Sequence, residues 1–299
     1  MVISSTIVKA FLRGGTLKRY CPKYVKEVVI ERNYDITSLA MLKGNFFETL
    51  CLGSGREGKI VDSLPLRKNG EKTIDQIRIE KQSENFKRLC SKYGIVLSAE
   101  NTQVNLRKKL GDVYLEGHPD ICPVALKDPS LGLTLGIVDL KLAKNLRNTF
   151  GDFAWGDYHN MDTTQADIYL YLTEDLDLSL NSHLNKEVFE IVSRRDLQMY
   201  FWVFSYWEGK LKDEQIPLQN MIIRTEKSLL KRKELLESLR KVYKLIRHHD
   251  SEGWKAVPGD PCEHCPVDCP VRVSSDTIKK RRKLRREKFK KELGEFKKL

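Results

Sequence analysis

A short apolar segment that carries two charged residues near its end constrains the fold more than any other part of the sequence. Residues 133–142 are mostly apolar, and Asp139 and Lys141 lie near their C-terminal end. This pattern predicts a buried strand that reaches the edge of its sheet. Because side chains alternate across a strand, we expect Asp139 and Lys141 to leave the same face.

Other segments supply the elements around this strand. Apolar residues at helical spacing predict a helix within residues 36–52, and alternating apolar residues predict two strands around a turn within residues 102–121. A further helix is predicted at residues 163–172, followed by an aromatic-rich strand at 197–207 and a long amphipathic helix. The order helix, strand, strand, strand, helix, strand indicates an α/β domain with helices packed on a mixed sheet.

Composition excludes several classes of protein. The chain has 299 residues, of which 40% are hydrophobic and 31% are charged, as in ordinary globular proteins. A chain of this length buries about 75% of the surface that it exposes when unfolded. No segment approaches the ~18 apolar residues of a membrane span, and the N-terminus lacks a secretion signal. We therefore expect a cytoplasmic protein with no membrane partner.

The positive charge is concentrated at the C-terminus. The chain carries 53 Lys and Arg against 41 Asp and Glu, a formal net charge of +12, and residues 274–299 hold 12 of the basic residues but only 4 of the acidic ones. Two interpretations of this basic tail stay open, a solvated helix that aids solubility and a nucleic-acid contact. The basic residues that would bind DNA are Lys279, Lys280, Arg281, Arg282, Lys283, Arg285 and Arg286.

Three short motifs carry the candidate chemistry. They are Gly-His-Pro-Asp120, Ile-Val-Asp139-Leu-Lys141 and Gln165-Ala-Asp-Ile-Tyr169. We expect Asp120 to end the strand before the apolar segment and to converge on the face that carries Asp139. Two neighbouring carboxylates repel each other and are best held ionised by a hard divalent cation. A lysine beside such a cation can orient or deprotonate an attacking water, as phosphodiester hydrolysis requires.

Each motif taken alone also has an ordinary explanation. Asp-x-Lys can form a surface salt bridge at a strand end, Gly-x-Pro-Asp is usually a turn, and Gln and Tyr four residues apart share one face of any helix. The order of the motifs, their spacing and the apolar strands that lead into the acids together favour a catalytic site.

In order and spacing, these motifs resemble the RecB-type branch of the PD-(D/E)XK nucleases. The resemblance covers residues 20–270 and implies a restriction-endonuclease-like α/β core, in which helices flank a mixed central sheet. It implies that Asp120, Asp139 and Lys141 are catalytic, and that Gln165 and Tyr169 orient the lysine and the DNA backbone. Residues 1–273 would then form one nuclease domain, followed by the tail at 274–299.

The resemblance also implies a Mg²⁺ or Mn²⁺ site. Its ligands would be the carboxylates of Glu48, Asp120 and Asp139, with the carbonyl of Leu140 as an extra ligand. Glu48 stands four residues after Gly44, where the family has a metal-binding histidine, and glutamate is a competent oxygen ligand for either ion.

Four cysteines extend the resemblance. Cys21 lies near the N-terminus, and Cys262, Cys265 and Cys269 lie close together near the C-terminus. This arrangement is similar to the iron–sulfur staple of AddB-type helicase-nucleases and of CRISPR-adaptation RecB-like nucleases, although the last gap is shorter here. It implies a [4Fe–4S] cluster. A zinc site that uses His264 and reduced cysteines that merely pack remain alternatives.

The remaining cysteines, Cys51, Cys90 and Cys122, are expected to be small core residues. Aromatic side chains near the motifs, Trp155 and Tyr158 among them, are candidates for stacking on nucleobases.

The sequence therefore predicts a metal-dependent DNA nuclease, acting as an exonuclease that hydrolyses phosphodiester bonds with an activated water. Its partners would be DNA and proteins of recombination, repair or replication, in a prokaryotic cell or a virus-infected host cell. A DNA endonuclease and a non-catalytic nucleic-acid-binding subunit that retains the fold are the alternatives.

Overall fold

The computed structural model describes most of the chain, which forms two compact units. The described residues are 1–13, 16–34, 37–55, 60–148, 154–157, 161–193, 197–207, 219–225 and 229–257, with positions 265, 267, 269, 274, 276, 277, 280, 283, 284 and 287. Unit 1 comprises Met1–Ser5, Arg13–Gly15 and Thr37–Glu237. Unit 2 comprises Thr6–Leu12, Thr16–Ile36 and Ser238–Leu299.

The described part of the chain contains both helices and strands, in runs of several elements of one kind. In chain order they are β1 (Val2–Ser4), α1 (Ser5–Phe11), β2 (Leu12–Arg13), β3 (Thr16–Leu17), α2 (Pro22–Tyr24), a π-helix (Val25–Ile30), α3 (Leu39–Leu52), α4 (Ile74–Tyr93), β4 (Leu106–Leu110), β5 (Val113–Gly117), β6 (Ile121–Asp128), β7 (Gly132–Ala143), α5 (Thr164–Leu172), α6 (Lys186–Val192), β8 (Gln198–Ser205), β9 (Asn220–Thr225) and α7 (Leu229–Glu252).

The central sheet of unit 1 is mixed. Its strand order is β6-β7-β8-β9, in which β7 and β8 are parallel and the two outer pairs are antiparallel. The predicted strands around a turn are confirmed as β4 and β5, but they pair with β1 in a separate three-stranded sheet. The prediction of an α/β chain with mixed sheets and flanking helices is thus confirmed.

Alternation along β7 divides its side chains between two helical layers. Val138 and Leu140 point into a core that includes Phe46 and Phe47 of α3 and Phe86 of α4. Asp139 and Lys141 therefore belong to the opposite face, because successive side chains alternate. Helix α5 packs on that opposite side, where it contacts β8 and β5.

Caps fix the ends of the two core helices. The side chain of Ser38 accepts a hydrogen bond from the amide of Met41 at the start of α3, and Thr73 caps α4 in the same way. Gly53 and Gly94 end these helices with φ of 78° and 71°, in the left-handed region that glycine adopts without strain. The predicted helix within 36–52 is thereby confirmed as α3.

Among the described residues, no helix combines the length and the apolarity that a membrane crossing requires.

Candidate active site

Strand β7 presents the central pair of the site. Asp139 is fully buried, and its Oδ2 atom forms an ion pair with Nζ of Lys141. The ammonium group of Lys141 also lies 5.9 Å from the ring centroid of Phe201, on the neighbouring strand β8. The contact between the two charged side chains confirms that they leave the same face of β7.

Asp120 joins this pair from the neighbouring strand. It lies immediately before β6, whereas the sequence had placed it at the end of the preceding strand β5. Ile121 pairs with Val138, so the same register continued by one residue places Asp120 opposite Asp139. The Oδ2 atom of Asp120 accepts a hydrogen bond of 2.7 Å from the backbone amide of Leu140. The expected convergence on Asp139 is therefore present, with β6 rather than β5 as its support.

Gln103 holds Asp120 from the other side, and the sequence gave no signal for it. Its backbone amide donates to the Asp120 carbonyl at 2.9 Å, and its Nε2 donates to Asp120 Oδ1 at 3.1 Å. Gln103 adopts a φ of 53°, in the left-handed region that non-glycine residues rarely occupy. Only the backbone conformation marks this residue as special, and that conformation cannot be recognised from one glutamine in a sequence.

Helix α5 contributes the two residues of the third motif. Gln165 and Tyr169 are four residues apart on one face, where Gln165 Nε2 donates to Asp139 Oδ1 at 3.2 Å and to the Tyr169 hydroxyl at 2.8 Å. The Tyr169 hydroxyl donates to the His118 carbonyl at 3.0 Å. Both side chains are buried. These hydrogen bonds tie the third motif to Asp139 and to the first motif, and Gln165 orients the carboxylate of Asp139.

Glu48 lies on α3, which contacts β7. Burial is the main cause that raises the pKa of the Cys51 thiol, and the carboxylates of Asp120 and Glu48 add to the shift. The two acids therefore act on the same neighbourhood. In the described part of the chain, however, no three His, Cys, Asp or Glu side chains are arranged to hold a metal ion. The structure does not gather Glu48 and the two aspartates into one ligand group.

The donor chemistry of the site nevertheless fits a hard divalent cation. Asp120 and Asp139 are fully buried carboxylates, and the ammonium of Lys141 pairs with Asp139. Glu48 is a further buried carboxylate. Carboxylate oxygens are the ligands that Mg²⁺ and Mn²⁺ prefer.

The cysteines of the predicted cluster belong to unit 2. Cys21 and Cys265 are buried and Cys269 is half-buried. The backbone amide of Val257 donates to Cys21 Sγ at 3.4 Å. Cys265 packs against Val28, while Cys262 lies outside the described residues. The cluster and the zinc alternative therefore both stay predictions.

The three other cysteines are core residues, as expected. Cys51, Cys90 and Cys122 are buried, and burial raises the pKa of the Cys90 thiol to about 12.

The other predicted residues are exposed, buried or outside the described residues. Lys280 and Lys283 of the tail are exposed, and the remaining tail residues predicted to bind DNA lie outside the described residues, as does Tyr158. Trp155 is buried and packs edge-on against Phe201, with ring centroids 5.9 Å apart.

Comparison with known proteins gives a distant structural likeness. The sequence matches no protein-family model and no curated protein. The fold is similar to the crystal structure of a proposed exonuclease from Eubacterium rectale, with a TM-score of 0.49 and 17% sequence identity over 90% of this chain and 89% of that one. A likeness this distant does not assign an activity to this chain.

Proposed function

We propose that the chain is a metal-dependent DNA nuclease that acts as an exonuclease. One observation carries the proposal: the three motifs, far apart in sequence, meet in one buried network. Asp120 accepts a hydrogen bond from the backbone amide of Leu140, next to Asp139, while Lys141 pairs with Asp139 and Gln165 fixes that same carboxylate. A set of surface salt bridges, turns and helix faces would have no reason to converge in this way.

The position of the network in the sheet supports a ligand site. Asp139 and Lys141 lie near the carboxyl end of β7, which runs parallel to β8. In α/β sheets, ligands bind outside the carboxyl ends of parallel strands.

Each residue has a distinct role in phosphodiester hydrolysis. Asp120 and Asp139 would hold Mg²⁺ or Mn²⁺, with Glu48 and the Leu140 carbonyl as further oxygen ligands. When bound, such an ion lowers the pKa of a water and offsets charge on the phosphate. The ammonium of Lys141 would orient the attacking water and stabilise the phosphate oxygens. The water oxygen would bond to phosphorus and lose a proton to solvent, the P–O bond to the leaving oxygen would break, and that oxygen would take up a proton from solvent.

The wider prediction is part of the same proposal. It comprises a PD-(D/E)XK core of the RecB type in residues 1–273, a [4Fe–4S] cluster or a zinc ion on the four cysteines, and DNA contact by the basic tail. Protein partners in recombination, repair or replication belong to it as well.

The test is cleavage of end-labelled linear DNA and of circular single-stranded DNA, with Mg²⁺, with Mn²⁺ and with EDTA. We expect metal-dependent release of label from linear DNA alone, and at least about a 10³-fold loss of rate in Asp139→Asn and in Lys141→Ala. Exposed Asp112→Asn and Lys127→Ala are matched controls that should keep the wild-type rate.

The other outcomes separate the alternatives. Cutting of circular DNA would establish an endonuclease. DNA binding without metal-dependent cleavage would establish a non-catalytic subunit, and full activity in either site variant would exclude this network as the active site.

A further inference from the structure

An open pocket of about 410 Å³ begins at Lys141 and continues beyond the end of β7. Its lining residues are Lys141, Leu142, Ala143, Lys144, Asn145, Asn148 and Trp155. The volume lies within the range of about 300–1,000 Å³ that is usual for sites of small molecules, so it suits one nucleotide.

The lining favours an anion that also has a flat apolar part. Among the described residues, the lining offers two ammonium groups, two carboxamides and an indole, and none of these lining residues is acidic. Asn145 Oδ1 accepts a hydrogen bond from the amide of Arg147 at 2.7 Å, which leaves the NH₂ group of Asn145 to donate elsewhere. Ammonium and amide donors together are suited to phosphate oxygens.

The wall of the pocket is held by close backbone packing. The amide of Gly156 donates to the Asn148 carbonyl at 2.8 Å. A Cβ atom on Gly156 would lie 2.7 Å from the carbonyl carbon and oxygen of Arg147, so only glycine permits this approach. The segment that carries Asn145 and Asn148 is therefore fixed against the turn that carries Trp155.

Lys144, a residue of the pocket lining, is held beside an exposed tryptophan. The Nζ atom of Lys144 lies 4.6 Å from the ring centroid of Trp207, whose side chain is 52% exposed. Ser205 Oγ donates to the Lys144 carbonyl at 3.1 Å and accepts from the Trp207 amide at 3.2 Å. One hydroxyl thus connects the ends of β7 and β8 and sets a cation beside an exposed aromatic ring.

We propose that this pocket binds one unstacked nucleotide of the strand that is cut, adjacent to the scissile phosphate. Lys144 and Asn145 contact the phosphate of that nucleotide, and its base packs on the exposed face of Trp207. The position relative to the cut rests on the proposed nuclease function, while the binding itself does not. Because a base must leave its stack to enter, the protein prefers single-stranded ends to blunt duplex ends.

The test is equilibrium binding in EDTA, where no cleavage occurs. A fluorescein-labelled single-stranded 12-mer and a blunt 12-base-pair duplex are titrated with wild type, Lys144→Ala, Trp207→Ala and Trp207→Phe. We expect the two alanine variants to weaken single-strand binding at least about fivefold, the lower end of the contribution of one stacked base. Duplex binding should be unchanged, and Trp207→Phe should retain most of the single-strand affinity.

The matched control is Lys92→Ala. Lys92 is also exposed and lies beside an aromatic ring, 5.5 Å from the centroid of Tyr93, but it belongs to α4 and does not line the pocket. This variant should bind both probes as wild type does. As a second probe, thymidine monophosphate should displace the 12-mer from wild type more effectively than thymidine, and Lys144→Ala should abolish that difference.

Two results would overturn the proposed nucleotide binding. The first is that Lys144→Ala and Trp207→Ala both bind the single-stranded 12-mer as tightly as wild type does. The second is that these variants bind the single strand and the duplex with equally weakened affinity, which would indicate a general electrostatic surface. The nuclease proposal would fail separately, if wild-type protein did not cleave DNA in the presence of Mg²⁺ or Mn²⁺. That result would not change the binding constants, because they are measured in EDTA.

Discussion

Asp120 is held between a strand amide and a residue with an unusual backbone. Leu140 donates to one carboxylate oxygen and Gln103 to the other, and the Gln103 amide also donates to the Asp120 carbonyl. The left-handed φ of 53° at Gln103 costs of the order of 1–3 kcal/mol. Backbone strain of this kind persists only where the surrounding contacts impose it. The strained residue here is Gln103, whose contacts position the Asp120 carboxylate of the candidate site.

Replacing Gln103 separates its backbone role from its side-chain role. Gln103→Gly removes both the strain and the bond to Asp120, which offset each other, so we expect thermal stability close to that of wild type. A hydrogen bond to a charged group contributes about 1.5–3 kcal/mol, so the loss of this carboxylate contact should lower kcat/KM at least about tenfold. The Mg²⁺ concentration for half-maximal rate should rise. An unchanged metal requirement would mean that Gln103 has only a structural role.

The residues of the site differ in how far the sequence predicts them. Asp139 and Lys141 were recognisable because one strand carries both, and Gln165 and Tyr169 because helical spacing sets them on one face. Gln103 was not recognisable, since its contact depends on a φ value and on a neighbour 17 residues away.

At the scale of elements, helix α4 and strand β6 were not predicted from the sequence. Helix α4 buries Gln76, Gln82 and Asn85 beside apolar residues, so its buried face lacks the apolar periodicity by which helices are recognised. Strand β6 buries all of its first four residues, so it lacks the alternation of a half-buried strand. Both elements belong to unit 1, and β6 follows directly after Asp120.

The packing of α5 on β5 depends on the absence of one side chain. A Cβ atom on Gly117 would lie 2.6 Å from Leu172 and 2.9 Å from the ring of Tyr169. Gly117→Ala should therefore shift α5, weaken the bonds of Gln165 and Tyr169, and destabilise the fold by about 1–3 kcal/mol with loss of cleavage. Chemical denaturation and the cleavage assay measure the two effects.

Gly44→Ala is the matched control for Gly117→Ala. Gly44 lies within α3, and a Cβ atom there would meet nothing within 4 Å. Alanine should raise the stability by up to about 1 kcal/mol through its helix propensity and leave cleavage unchanged. Equal stability of the two variants would contradict the close approach of α5 to β5.

At the scale of the whole molecule, the first and last parts of the chain share unit 2. The three predicted cluster ligands among the described residues fall within it, Cys21 in the segment Thr16–Ile36, and Cys265 and Cys269 in Ser238–Leu299. Ligation by one cluster would close a loop of 240 residues between Cys21 and Cys262. Closing a long loop lowers the entropy of the unfolded chain, so the cluster would act as a structural staple.

Removal of one ligand tests this staple. Protein purified without oxygen should be brown and contain about four irons per chain, and Cys21→Ala should lose the colour and unfold at a lower temperature. Cys51→Ala, at a buried core cysteine of unit 1, should keep the colour. Colourless protein with stoichiometric zinc would reject the cluster, and intact metal content in Cys21→Ala would reject the staple.

The tail and the pocket should contribute to DNA binding in different ways. Deleting residues 274–299 removes 12 basic residues. If about six of them neutralise phosphates, the slope of log affinity against log salt should flatten by about five, at ~0.9 per phosphate. Because phosphates are common to both probes, the deletion should weaken single-strand and duplex binding alike, whereas Lys144→Ala should change their ratio. An unchanged salt slope would show that the tail is only a solvated segment, and the preference for single strands would then rest on the pocket alone.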